Sequence, residues 1–108
     1  MSSQPISCRQ RTIEDLRQHA DTATKQLKAL ANVNRLMILC ILSEGELSVS
    51  ELNEMIDLSQ SALSQHLAKL RADELVSTRR ESQTIYYSLK DGAAKQIINT
   101  LHDYYCAE

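Results

Sequence analysis

Two glycines (Gly45, Gly92) and one proline (Pro5) in 108 residues leave this chain almost without punctuation. Gly and Pro are the residues that most readily break a chain into short segments. A many-turned β-sandwich is therefore a poor fit, and long helices are the favoured solution. Phe and Trp are absent and the four tyrosines stand in two pairs, Tyr86-Tyr87 and Tyr104-Tyr105, so Leu and Ile must fill the core. A chain of 108 residues supports a single core and one domain. Hydrophobic residues at 43% and charged residues at 24% argue against disorder.

The longest apolar run, Leu36 to Leu42, is too short to cross a bilayer. Residues 1–11 lack the charged-then-apolar order of a signal peptide. A cytoplasmic protein with no membrane partner is expected. Three cysteines (Cys8, Cys40, Cys106) form no even framework, so reduced thiols are the starting state. The net charge is −2, with the basic excess in residues 1–40 and the acidic excess after them. A nucleic-acid partner would have to be met by a local patch rather than by the overall charge.

Residues 1–10 are polar and without a period, and read as a flexible N-terminal segment preceding a single domain over 11–108. Ile13, Leu16, Ala20, Ala23, Leu27 and Leu30 then recur at steps of three and four, predicting a helix over roughly 11–30 that packs along another helix. After a cap at Asn34, apolar residues run all round the segment 35–42, which predicts a central, buried helix. Ser48 with Glu51 has capping-box spacing and opens a short helix with Val49, Leu52, Met55 and Ile56 inward. Ser59 caps a further helix over roughly 60–72, with Ala62, Leu63, Leu67 and Leu70 inward. From Val76 the period becomes two, through Thr78 and Arg80, past the tip Glu81-Ser82-Gln83, and on through Ile85, Tyr87 and Leu89, predicting a β-hairpin. Asp91 is the expected cap of a last helix carrying Ala94, Ile97, Ile98, Leu101 and Tyr105 on its apolar side. The fold expected is mainly α with a small β-hairpin wing, in the order α-α-α-α-β-β-α.

The third and fourth helices are joined by a very short turn, the pattern of a helix-turn-helix. Ser59, Gln60, Ser61, Ser64, Gln65, His66 and Lys69 line the outer face of the second of them. Side chains of this size reach base edges in a major groove, and Gln pairs with adenine. On its own such a face reads as solvated surface, but the hairpin adds Arg79 and Arg80 for phosphates or a minor groove, with Gln83 and Thr84 as neutral contacts.

Three segments, LKALANVNRLMILCIL, ELSVSELNEMIDLSQSALSQHLAKLRADELV and STRRESQTIYYSL, together resemble the ArsR family of dimeric winged-helix bacterial repressors over residues 12–106. The resemblance implies a homodimer formed through the first and last helices, operator DNA as partner, and an effector that weakens DNA binding. Many members sense metals, yet Ser48 and Ser50 stand where the arsenic and cadmium sensors carry thiolates, and serine is a poor ligand for soft ions. The zinc-type site of the last helix is also broken: with one His placed on His102, Leu89, Asp91 and Tyr105 fill the other positions. No metal and no cofactor is expected.

Cys40 and Cys106 resemble the thiol pair of the sulfide- and persulfide-sensing branch, which includes SqrR-like and BigR-like repressors. That resemblance implies a disulfide or polysulfide link between the two thiols, formed by a persulfide or polysulfide effector, with release of the operator. Cys8 matches an extra cysteine that is not expected to be essential. By their residues alone, Cys40 is a small core hydrophobe, neither thiol is activated, and His102 is a surface residue more readily than a partner of Cys106. Three rivals stand beside this reading. HlyU-like regulators carry similar cysteines and act as activators answering general oxidants. A thiol enzyme using Cys106 and His102 lacks an oxyanion-hole loop, so no catalytic residue is assigned. A metal bound by Cys40, His102 and Cys106 would have too few ligands for a closed zinc site.

Overall fold

The structure is a computed structural model that describes residues 3–106, with side chains from residue 9 to 106. The first helix, α1, spans Ser3–Leu30, so it begins well before residue 11 and includes part of the segment expected to lack structure. Pro5 lies in its first turn, where a missing N–H has no intrahelical partner to lose. The expectation for Cys8 falls outside the described side chains. The predicted apolar stripe of α1 lies largely bare, with Ile13 50%, Leu16 64% and Leu27 52% exposed. Only its last turn, Ala29 and Leu30, enters the core.

The second helix, α2 (Val33–Leu42), is capped by Asn32 rather than by Asn34: Oδ1 of Asn32 accepts from the Arg35 N–H at 3.1 Å. Arg35 Nε then donates to the Ala29 carbonyl at 2.9 Å, fixing the corner between α1 and α2. Ile38, Leu39 and Leu42 are buried, but Met37 is 51% exposed and Cys40 and Ile41 are half-buried. The expectation of a helix buried on all sides is thus corrected to one with an open face.

A two-residue strand, β1 (Leu47–Ser48), leads straight into α3 (Val49–Met55). Ser48 supplies the expected capping box, accepting from the Glu51 N–H at 3.2 Å while its own N–H donates to Glu51 Oε1 at 2.8 Å. Leu52 and Ile56 face inward; Met55, expected with them, stays outside the core and is 61% exposed. Ser59 caps α4 (Gln60–Ala72) through the Ala62 N–H at 3.1 Å, and Leu63, Leu67 and Leu70 fill the centre of the core. The helix stops in a Schellman arrangement, with Glu74 at φ 60 and the Leu75 N–H donating back to the Leu70 carbonyl.

Strands β2 (Val76–Glu81) and β3 (Thr84–Leu89) form the expected antiparallel hairpin, with Ser82 at φ 58 in its two-residue tip. The sheet has a third strand that the alternation did not predict: its order is β1-β3-β2, with Ser48 opposite Tyr86 and Leu47 opposite Tyr87. The last helix, α5 (Ala93–Cys106), begins after Gly92, whose carbonyl accepts from the Gln96 N–H. Asp91, expected as the cap, instead accepts from Lys95 Nζ at 3.0 Å. Ala94 and Ile98 bury the inner face of α5, while Tyr104 and Tyr105 remain 78% and 76% exposed. No helix among the described residues is long and apolar enough to cross a membrane.

Candidate functional site

The turn from α3 to α4 is only four residues long. Asn53 Nδ2 closes it by donating to the Leu58 carbonyl at 2.9 Å, which fixes the angle between the two helices. With Leu63, Leu67 and Leu70 buried, the opposite face of α4 must point outward. Gln60, Ser61, Ser64 and Gln65 are exposed on it, as are the cap Ser59 and Lys69. His66 is half-buried at the edge of this face. Lys69 Nζ sits 3.3 Å from Asp73 Oδ2, one turn on. Arg71, not among the residues expected from the sequence, is exposed two turns after Ser64 and adds a cation to the same stripe.

In the hairpin, Arg80, Gln83 and Thr84 are exposed and Arg80 makes no ion pair among the described residues. Arg79 is placed differently. Its Nε donates to both carboxylate oxygens of Glu46 at 3.1 and 3.2 Å, its Nη1 donates to Glu81 at 3.0 Å, and its Cζ lies 4.7 Å from the centre of the Tyr86 ring. These hydrogen bonds raise the Arg79 pKa and hold the Glu46 carboxyl below its ordinary range.

A second site lies between α2 and α5. Cys40 and Cys106 line one cavity of about 390 Å³, walled by Leu36, Ile41, Met55 and Leu101, with Glu44 and His102 at its rim. Both are free thiols, Cys40 half-buried and Cys106 exposed. Burial, and after it the proximity of Cys106, pushes the Cys40 thiol above its ordinary value. The hydrocarbon around it favours the neutral form of Cys40 over its thiolate. His102 is directed to a carboxylate and makes no hydrogen bond to Cys106: its Nε2 lies 2.8 Å from Glu44 Oε2 and its Nδ1 3.7 Å from Asp103. No local pattern in the sequence places Glu44 or Met55 beside the end of α5, whose residues lie more than 40 positions on.

Known proteins resemble this chain over most of its length. The family model described as "Bacterial regulatory protein, arsR family" matches residues 32–78, the stretch from the α2 cap into β2. The chain is 50% identical over 94 residues to the transcriptional activator HlyU of Vibrio cholerae, covering 87% of each sequence. The structure of reduced HlyU from that organism superposes with a TM-score of 0.79 at 50% identity, over 86% of this chain and 98% of that one. The structure of the transcriptional repressor BigR from Xylella fastidiosa does so with a TM-score of 0.76 at 41% identity, over 87% and 93%. A homodimeric winged helix-turn-helix DNA-binding domain from Mycobacterium bovis matches with a TM-score of 0.71 at 28% identity, over 79% of each chain. A helix-turn-helix followed by a wing, with relatives at this identity over nearly their whole length, makes the chain a DNA-binding transcriptional regulator of the ArsR family, with the winged helix-turn-helix fold.

Proposed function

We propose that this protein is a homodimeric repressor that holds operator DNA while Cys40 and Cys106 are reduced and releases it when reactive sulfur links them. The observation that carries the reading is the shared cavity: the two thiols lie 66 positions apart in sequence and line one apolar space between α2 and α5. The exposed Cys106 meets a persulfide first. Its thiolate attacks the sulfane sulfur, becomes a persulfide itself and expels the carrier's thiolate. The Cys40 thiolate then attacks the Cys106 sulfur, forming the disulfide and expelling hydrosulfide. Dimerisation through α1 and α5 would cover the bare stripe of Ile13, Leu16 and Leu27, and a homodimer is the state named for the Mycobacterium bovis relative. Each protomer would present Ser59, Gln60, Ser61, Ser64, Gln65, His66 and Lys69 to the major groove, with Arg80, Gln83 and Thr84 on the flanking backbone.

Intact mass and peptide mapping after treatment with glutathione persulfide, with fluorescence anisotropy on the same samples, test the reading. The expected result is a Cys40–Cys106 link formed in step with loss of DNA binding. A link that leaves DNA binding unchanged overturns it. The activator named at 50% identity supports a second reading, an oxidant-responsive regulator of the HlyU type. Release by hydrogen peroxide, with no response to glutathione persulfide, would favour that one.

A further inference from the structure

Arg79 reaches across the whole sheet. It stands on β2 opposite Tyr86 of β3, and Tyr86 stands opposite Ser48 of β1. The guanidinium passes over the Tyr86 ring and ends on Glu46, immediately before β1, in a pair with three of its N–H donors engaged by Glu46 and Glu81. One side chain thereby ties all three strands to the turn that follows α2. The neighbouring Arg80 lies on the opposite face of the strand, together with Val76 and Thr78, the face turned toward the helices. It is exposed because the hairpin has run out beyond them.

We propose that Arg79 and Glu46 form a latch that sets the angle of the wing, so that Arg79 is a positioning residue for DNA binding and Arg80 the phosphate contact. Charge supports the division. With Glu46 and Glu81 both on Arg79, that group is net negative and repels a phosphate, whereas Arg80 on the opposite face makes no ion pair among the described residues. Drawing Arg79 away to a phosphate would leave two carboxylates bare beside the DNA. The latch would also explain why so short a strand as β1 holds its place: its two residues gain an ion pair anchored at Glu46 and engaged at the far edge of the sheet. This inference rests on the DNA-binding reading, and the experiment separates the two.

The probe is a duplex enriched from a random pool by the wild-type protein, and the readout is its affinity by fluorescence anisotropy as salt is raised. Arg79→Gln and Glu46→Gln are each expected to weaken binding roughly tenfold, and the double variant no further. In both single variants the slope of log affinity against log salt stays at the wild-type value. Arg80→Gln is expected to lower the magnitude of that slope by about 0.9 for each protomer on the DNA. Circular dichroism melting confirms that each variant is folded at the assay temperature. A slope that falls in Arg79→Gln, or an affinity that rises in Glu46→Gln because a cation has been set free, overturns the latch while leaving DNA binding intact. A pool in which the wild-type protein enriches no duplex overturns both.

Discussion

At the scale of single residues, the end of α2 holds two carboxylates with separate partners. Glu44 takes His102 on α5 and Glu46 takes Arg79 on β2, with Gly45 at φ 141 between them. No added Cβ at Gly45 would meet a neighbour within 4 Å, so glycine is required there by backbone conformation and not by space. The Glu44 carboxylate, accepting from the His102 ring N–H, raises the His102 pKa above its ordinary 6.5. The sign of the pH dependence follows. Below the unfolded value the imidazolium and its bridge are fully present; as pH rises through the raised folded value the proton leaves and the stabilisation goes with it. Glu44→Gln is therefore expected to bring the His102 midpoint, followed by NMR, down toward 6.5, and to lower the melting temperature near pH 6 more than near pH 9. An unchanged midpoint would show that the bridge does not form in solution. Neither pair was legible beforehand, because partners 58 and 33 positions apart leave no trace in any local period. The capping residues Ser48 and Ser59 were legible for the opposite reason: a cap and its N–H partner lie within one turn of helix.

At the scale of elements, legibility followed length and repetition. Six stripe positions placed α1 from residue 11 on but not its earlier turns, and alternation over twelve strand residues placed the hairpin. Two residues cannot alternate, so β1 exists only through its pairing with β3 and appeared with the structure. Asn32 and Asn34 are equally good caps by composition; the geometry of Arg35 at the corner decides between them. The open face of α2 and the outward Met55 have a shared origin. Patterning says that a residue is apolar but not whether its neighbour is its own core, a cavity or a second chain. On α1 the stripe has no cover within the protomer, and the cover proposed is the same helix of a second copy. Leu16→Asp with Leu27→Asp places two charges in that seam, where each would be buried without a partner. The double variant is expected to sediment as a monomer at micromolar concentration and to keep its helical circular dichroism, since neither residue enters the core. A variant that remains dimeric would move the interface away from the α1 stripe.

Over the whole molecule, the proposed link between Cys40 and Cys106 would change what fixes α5. In the reduced protein its inner face is held by Ala94 and Ile98, and its penultimate turn by the bridge to Glu44, while the final turn with Tyr104, Tyr105 and Cys106 lies exposed. A covalent link to Cys40 would draw that final turn against α2. In a dimer built on α1 and α5, a movement there changes the angle between protomers and so the separation of the two α4 helices. Half-sites one turn apart tolerate little such change, since their centres are set at about 34 to 36 Å by the DNA. A coupling of ~1 to 3 kcal/mol, or about 5- to 150-fold in affinity, is the usual scale of such an effect. Cys106→Ser and Cys40→Ser are both expected to bind DNA as the reduced wild type does, because neither thiol lies on the α4 face or the wing. Both are expected to lose the response to glutathione persulfide, because each lacks one end of the link. The raised pKa of Cys40 adds a kinetic signature: the closing step requires its thiolate, so with the persulfide supplied in excess the wild-type protein should link faster as pH rises from 7 to 9, by up to about tenfold per unit. Mass spectrometry over time reads that rate, and a rate independent of pH would assign the closing attack to a group other than Cys40.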